Sequence, residues 1–185
     1  LGALFYQKKH FAEAVAYSQK ALIYKPGNAD IYGNLGNALL AEGRVDEAIP
    51  CFREIIARKG DDAGAFYNLG NAFKEKKLFR EALVHYEKAI AIDPHIAEAH
   101  YNYGNALQDA YHEDAPAIPH FRRAMALKPD FAEAHWNLSL ALLLSGDFAE
   151  GWKEYEWRRE MREIFAKRDL GGREWRGEDL AGKRI

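Results

Sequence analysis

The chain lacks a charge imbalance, has almost no cysteine and contains no long apolar run, and each shortage removes a class of function. Its 26 Lys and Arg face 28 Asp and Glu, a formal net charge of −2. That balance favours no polyanion, so neither nucleic acid nor an anionic membrane is expected as a partner. The longest largely apolar stretch, Leu138 to Leu144, is far too short to cross a bilayer. One cysteine, Cys51, excludes an intramolecular disulfide and gives weak support for a reducing, cytoplasmic compartment. The 7 histidines lack metal-ligand spacing: His95 and His100 are five apart, His112 and His120 eight. There is no Gly-rich phosphate loop and no nucleophile elbow. No metal, cofactor or catalytic residue is expected, and no segment reads as a strand.

What the chain has is a period. Asn34-Leu35-Gly36-Asn37-Ala38 returns as Asn68-Leu69-Gly70-Asn71-Ala72 and as Asn102-Tyr103-Gly104-Asn105-Ala106, each 34 residues after the last. A degraded copy, Asn137-Leu138-Ser139-Leu140-Ala141, follows one residue late. A bulky ring stands before each phrase, at Tyr32, Phe66, His100 and His135. Further on, a small residue precedes an aromatic by four: Ala48 and Phe52, Ala82 and Tyr86, Ala117 and Phe121, Gly151 and Tyr155. Pro26, Pro94 and Pro129 close units. Self-similarity at such a period marks units that bury their apolar faces only by stacking on one another.

Each unit carries two amphipathic stripes at helical spacing. In the second, Tyr32, Leu35 and Leu39 precede Ala48, Phe52, Ile55 and Ile56, with Glu42-Gly43-Arg44 between them. Gly43 and Gly146 fit helix C-termini, where a left-handed residue lets the chain reverse. Gly36, Gly70 and Gly104 fall inside helices, at a cost of roughly 1 kcal/mol each against Ala. Close approach of the partner helix is the expected return, with Ala48, Ala82 and Ala117 as the matching small residues. Pro50 and Pro119 are placed within about the first turn of a second helix, where proline loses little. The fourth unit is longer by one residue, which predicts a bulge over 109–114. Leu35, Leu69, Leu138, Phe52, Tyr86, Phe121, Ala48 and Ala82 are the expected core, and Cys51 lies on its side.

This pattern resembles the tetratricopeptide repeat (TPR) family, whose signature is bulky-x2-Leu-Gly-x2-aromatic, then Ala-x3-Phe, then Pro. The resemblance implies an all-α fold, a right-handed superhelical solenoid of helix–turn–helix repeats. Leu1-Gly2-x2-Phe5, with Ala14 and Pro26 in step, is the middle of that signature. The units are therefore a clipped repeat at 1–28, then 29–62, 63–96, 97–131 and 132 to about 165. First helices of the full units are predicted over 30–42, 64–76, 98–110 and 132–145, and a start inside a repeat leaves the absence of a signal peptide uninformative.

The resemblance also implies a concave groove lined by the first helices. Their polar faces carry Gly33, Asn34, Asn37 and Leu40, then Tyr67, Asn68, Asn71 and Lys74, then Tyr101, Asn102, Asn105 and Gln108, then Trp136, Asn137, Leu140 and Leu144. One asparagine ladder (Asn34, Asn68, Asn102, Asn137) is thus flanked by a shorter one (Asn37, Asn71, Asn105). An amide offers donors and an acceptor, so spaced amides suit the backbone of an extended peptide whatever its sequence. Tyr67, Tyr101 and Trp136 add flat contact area at low entropy cost. Hydrogen bonding between adjacent repeats is the competing role for the amides; as groove residues they are expected to face solvent. The ladder looks like the peptide groove of O-linked N-acetylglucosamine transferases. Chaperone-adaptor TPRs instead clamp a terminal carboxylate with a Lys four residues before an Asn. Here Gly33, Tyr67 and Tyr101 hold those positions, so that clamp is not reproduced.

The remaining motifs read as structural. His100 and His135 occupy the ring position, where packing accounts for them. Glu154 and Glu156 alternate with Trp152, Tyr155 and Trp157, the pattern of a solvated face on a terminal helix. Beyond about Arg162 a Gly-rich, charged stretch over 166–185 reads as a linker. Within it Trp175, Gly177, Leu180, Ala181, Gly182 and Lys183 are similar to the junction in bacterial TPR proteins that continue into a glycosyltransferase-like domain. Three readings follow. The first is an interaction scaffold holding a peptide or partner domain in the groove; the second is the recruiting arm of a glycosyltransferase whose catalytic domain lies beyond Ile185. The third is self-association of one solenoid end with another's groove.

Overall fold

Three short polar side chains start helices where the sequence turns. Asn28 Oδ1 accepts from the backbone of Asp30 and Ile31, Asp62 Oδ1 from Ala65, and Asp147 Oδ1 from Glu150. Each satisfies backbone donors that a helix start leaves without an intrahelical partner. The computed structural model describes residues 2–160. The helices are α1 (Gly2–Gln7), α2 (Phe11–Tyr24), α3 (Ala29–Ala41), α4 (Val45–Lys59) and α5 (Ala63–Glu75). They continue as α6 (Phe79–Ile92), α7 (Ala97–Tyr111), α8 (Ile118–Leu127), α9 (Ala132–Ser145) and α10 (Phe148–Tyr155). Among the described residues there is no strand, and no helix is long and apolar enough to cross a membrane. Every helix packs on its neighbours in sequence, and α1, α3, α5 and α7 also touch in series. A solenoid results, and the predicted first helices agree with α3, α5, α7 and α9 to within a residue. The linker and the Trp175–Lys183 motif fall outside the described residues.

The eight expected core residues are all buried, Phe52, Tyr86 and Phe121 completely. The glycines need a different account from the one the sequence suggested. A Cβ on Gly36 would stand 2.6 Å from Phe52 Cε1, and one on Gly104 2.6 Å from Phe121 Cε1. Gly70 meets Tyr86 in the same way. The ring at the centre of the partner helix, not the alanine four residues before it, therefore demands the glycine. Each hairpin is a ring laid on bare backbone.

Left-handed backbone recurs at the turns. Gly43 (φ 73°) and Gly146 (φ 89°) occupy it as expected, but Lys9 (φ 60°), Lys77 (φ 58°) and His112 (φ 57°) do so without glycine's freedom. The long fourth unit absorbs its extra residue between His112 and a 3₁₀ turn at Ala115–Ala117 that leads into α8. Pro119 stands at the start of α8, as predicted, but Pro50 is the sixth residue of α4. It is deeper than the first turn and forfeits a helical hydrogen bond. Pro50 and Asp46 are both exposed, so water can take up the freed carbonyl.

Three of the ring positions do more than pack. A carbonyl can only accept, so His100 Nε2 donates to Pro94 O (3.2 Å) and His135 Nε2 to Pro129 O (3.0 Å). Tyr32 Oη does the same to Pro26 O at 3.3 Å. Glu154 also departs from the solvated-face reading. It is largely buried against His135 Nδ1, whose ring stacks on Trp157 with centroids 4.0 Å apart. Glu156 remains exposed, paired with Arg158 and Arg159.

Candidate functional site

The first helices α3, α5, α7 and α9 carry both asparagine ladders. The side chains were expected to face solvent, and half of the ladder does not. Asn102 is only 8% exposed, and its Nδ2 donates to Asn71 Oδ1 (2.9 Å) and Tyr67 Oη (3.2 Å) on α5. Asn137 repeats the arrangement from α9 to α7, donating to Asn105 Oδ1 (2.7 Å) and Tyr101 Oη (3.2 Å). Tyr86 Oη adds a third bond at the first of these knots, 2.8 Å to Asn71 Oδ1. Burial pushes the Tyr67, Tyr86 and Tyr101 hydroxyls above the ordinary phenol range, so these stay neutral donors or acceptors throughout the physiological range. Bonding between adjacent repeats, the competing role for these amides, is therefore real at Asn71, Asn102, Asn105 and Asn137.

Asn34, Asn37 and Asn68 are different. They are half-buried, and none makes a side-chain hydrogen bond among the described residues. In the unit before that of Asn68, Gly33 holds the position of Tyr67 and Tyr101, so no phenol reaches Asn68. The matching change on the second helix is Ile55, where the other units have Ala89 and Ala124. Ile55 Cδ1 comes within 3.7 Å of where a Gly33 Cβ would stand, whereas Tyr101 packs on the cluster holding Ala124. Ring-plus-alanine has been exchanged for glycine-plus-isoleucine, which refills part of the volume and loses the phenol with its hydroxyl. Sequence reading missed this pairing, although both columns are visible once the period is known.

Farther along, the groove opens into a hollow of about 480 Å³. Lys74, Asn105, Gln108 and Asn137 from the predicted surface line it, joined by Lys77 and Asp109. Gln108 is anchored there by its amide on Asp114 Oδ1. Tyr67, Tyr101 and Trp136 are half-buried; Trp136 packs on Tyr155 of α10 with centroids 4.9 Å apart. The surface is thus a mixture of amides, ring faces and a few charges. Such a surface can exchange hydrogen bonds and stack; among the described residues no group of three or more His, Cys, Asp or Glu could hold a metal ion. Cys51 is buried, donates weakly to Glu47 O (3.5 Å), and burial pushes its thiol up to about 11, which keeps it inert.

Known proteins share this fold. Models described as tetratricopeptide repeat match residues 5–70, 63–96 and 115–156. Among solved structures, MamA is 26% identical at a TM-score of 0.74, over 90% of this chain and 97% of that one. PilF of Pseudomonas aeruginosa is 19% identical at a TM-score of 0.79, over 91% and 83% of the two chains. YrrB, described as a TPR protein with an unusual peptide-binding site, is 18% identical at a TM-score of 0.66, over 88% and 83%. No curated protein matches in sequence.

Proposed function

We propose that this chain, which belongs to the tetratricopeptide repeat family, is an interaction scaffold that holds an extended polypeptide in its concave groove. The observation that carries this reading is the hollow of about 480 Å³ lined by Lys74, Asn105, Gln108 and Asn137, at repeat positions of the first helices that also carry the free amides of Asn34, Asn37 and Asn68. Amides in a groove exchange hydrogen bonds with peptide groups, and half-buried rings beside them add contact area. YrrB, a structural neighbour with a peptide-binding site, lends the fold a precedent for this use. The recruiting-arm reading uses the same groove and rests on Trp175 to Lys183, outside the described residues.

A display library of short unstructured peptides tests the proposal. Wild-type protein is expected to retain many sequences, and Lys74→Ala to retain fewer while keeping the wild-type melting temperature. Retention of no peptide at all would sink the reading.

A further inference from the structure

The groove is not equivalent along its length, and its repeats report on each other. At the joint of α5 with α7, Asn102 Nδ2 is met by Tyr67 Oη and Asn71 Oδ1. At the joint of α7 with α9, Asn137 Nδ2 is met by Tyr101 Oη and Asn105 Oδ1. At the joint of α3 with α5 the donor is present as Asn68 and the second acceptor as Asn37. Gly33 removes the phenol, and neither amide is bonded within the described residues. The gap is not the result of poor packing there. Ile55, buried to 5% exposure, fills the base of the vacated space, and Leu35, Leu39, Phe52 and Leu69 lie in one apolar cluster with it. The upper part of the ring and its oxygen are missing.

We propose that the primary peptide subsite is the α3/α5 joint, where a main-chain carbonyl of an extended ligand takes the place that the Tyr67 and Tyr101 hydroxyls occupy at the next two joints. Asn68 Nδ2 donates to that carbonyl, and Asn34 and Asn37 serve the neighbouring peptide groups. A carbonyl suits the site because the phenol oxygen it replaces acts there as an acceptor from an amide N–H, and every residue of a peptide carries such an oxygen. A free asparagine amide is also more available than one already satisfied, since engaging Asn102 or Asn137 requires breaking an internal bond first. The subsite rests on the groove reading above; within the first ladder it leaves Asn34 and Asn68 free for the ligand, while Asn102 and Asn137 are already engaged between repeats.

The test exchanges the two designs. Gly33→Tyr with Ile55→Ala installs the pair used by the neighbouring units and lets the new phenol meet Asn68. The probe is a labelled library of degenerate unstructured peptides, read by retention and by melting temperature. The wild type is expected to bind it; the double variant is expected to hold or raise its melting temperature and lose binding. Asn68→Ala is the companion, expected to weaken binding about 2- to 10-fold with little change in melting, which is the worth of one hydrogen bond. Asn102→Ala is expected to lower the melting temperature and leave library binding within twofold, roughly the scatter of such effects. Wild-type binding left unchanged by both the double variant and Asn68→Ala overturns the subsite while the groove function stands. A wild type that binds no peptide overturns both. Should the double variant fail to fold, Asn68→Ala decides alone. Concentration-dependent self-association of the wild type that the double variant abolishes would name a second copy as the occupant and overturn the peptide assignment.

Discussion

Asn102 on α7 donates to the Tyr67 hydroxyl on α5 across 3.2 Å, joining residues 35 apart in sequence and in adjacent repeats. The same amide reaches Asn71, which also takes the Tyr86 hydroxyl. Four polar side chains are thereby satisfied on the wall of a groove, where each would otherwise be partly desolvated without a partner. The arrangement makes an otherwise uniform asparagine ladder uneven in energy.

Truncating that amide should therefore cost stability. Asn102→Ala is expected to destabilise by roughly 1–3 kcal/mol, because the Tyr67 oxygen loses its donor and Asn71 Oδ1 keeps only the Tyr86 hydroxyl in a half-buried site. Asn68→Ala, with no internal partner to strand, should stay within about 0.5 kcal/mol of wild type. Urea midpoints of the two variants would separate these outcomes, and equal midpoints would contradict the uneven ladder.

Glycine replacement should change sign between two positions. An added methyl at Gly70 runs into the Tyr86 ring, so Gly70→Ala should destabilise by about 1–3 kcal/mol despite alanine's better helix propensity. At Gly33 the methyl meets only Ile55 Cδ1 at 3.7 Å. Gly33→Ala should gain roughly 0.5–1 kcal/mol from propensity alone. Thermal melts of the pair give the comparison, and a stabilised Gly70→Ala would mean the ring does not lie on that backbone.

Lys77 holds a left-handed conformation (φ 58°) at the turn where Gly43 stands one repeat earlier. Lys77→Gly is expected to stabilise by about 0.5–1 kcal/mol, because the steric cost of a Cβ there outweighs glycine's entropy loss. Chemical denaturation would register it as a higher midpoint at unchanged slope.

Acid should weaken the fold before carboxylates matter. Burial lowers the pKa of His85, His100 and His120 below the ordinary 6.5, with Lys88 and Arg53 adding to the effect at His85, Arg123 at His100, and His100 at His120. The Pro94 carbonyl pulls the other way at His100. The unfolded chain then binds protons that the folded chain refuses. Stability is complete above the unfolded value and declines as pH falls through about 6.5 toward the lower folded values. Denaturation midpoints at about pH 7.5 and about pH 5.5 should show the loss, and His85→Phe should reduce it. A flat profile across that interval would refute the assignment. Glu47 and Glu156, held low by hydrogen bonds from Arg44 and Arg158, contribute only in more acidic solution.

The helices were legible in the sequence because each is fixed by local spacing: Leu35 and Leu39 on one face, Ala48 and Phe52 on the next. The buried rings followed from the same register. Pairings between columns were not legible in that way. That Phe52 presses on Gly36 depends on how far apart two helices stand, and the Ile55 and Gly33 exchange depends on which side chains share a gap. The Asn102 bond was invisible for a related reason, since an amide at a groove position can turn outward or toward the neighbouring repeat. Pro50 was misplaced because helix α4 begins at Val45, immediately after the Gly43–Arg44 turn, and so runs past it.

The amide-to-phenol knots also bear on how the array bends. Joints stacked end to end act like springs in series, so their compliances add and the softest dominates. Apolar packing, which holds α3 against α5, restrains the crossing angle through interlocking side chains, and the directional bonds from Asn102 and Asn137 add a further restraint at their joints. The α3/α5 joint should therefore bend more easily than the α5/α7 and α7/α9 joints, and the unit copied in any lengthening of the array decides its stiffness. Copying 97–131 adds another latched joint, and copying 29–62 adds another compliant one.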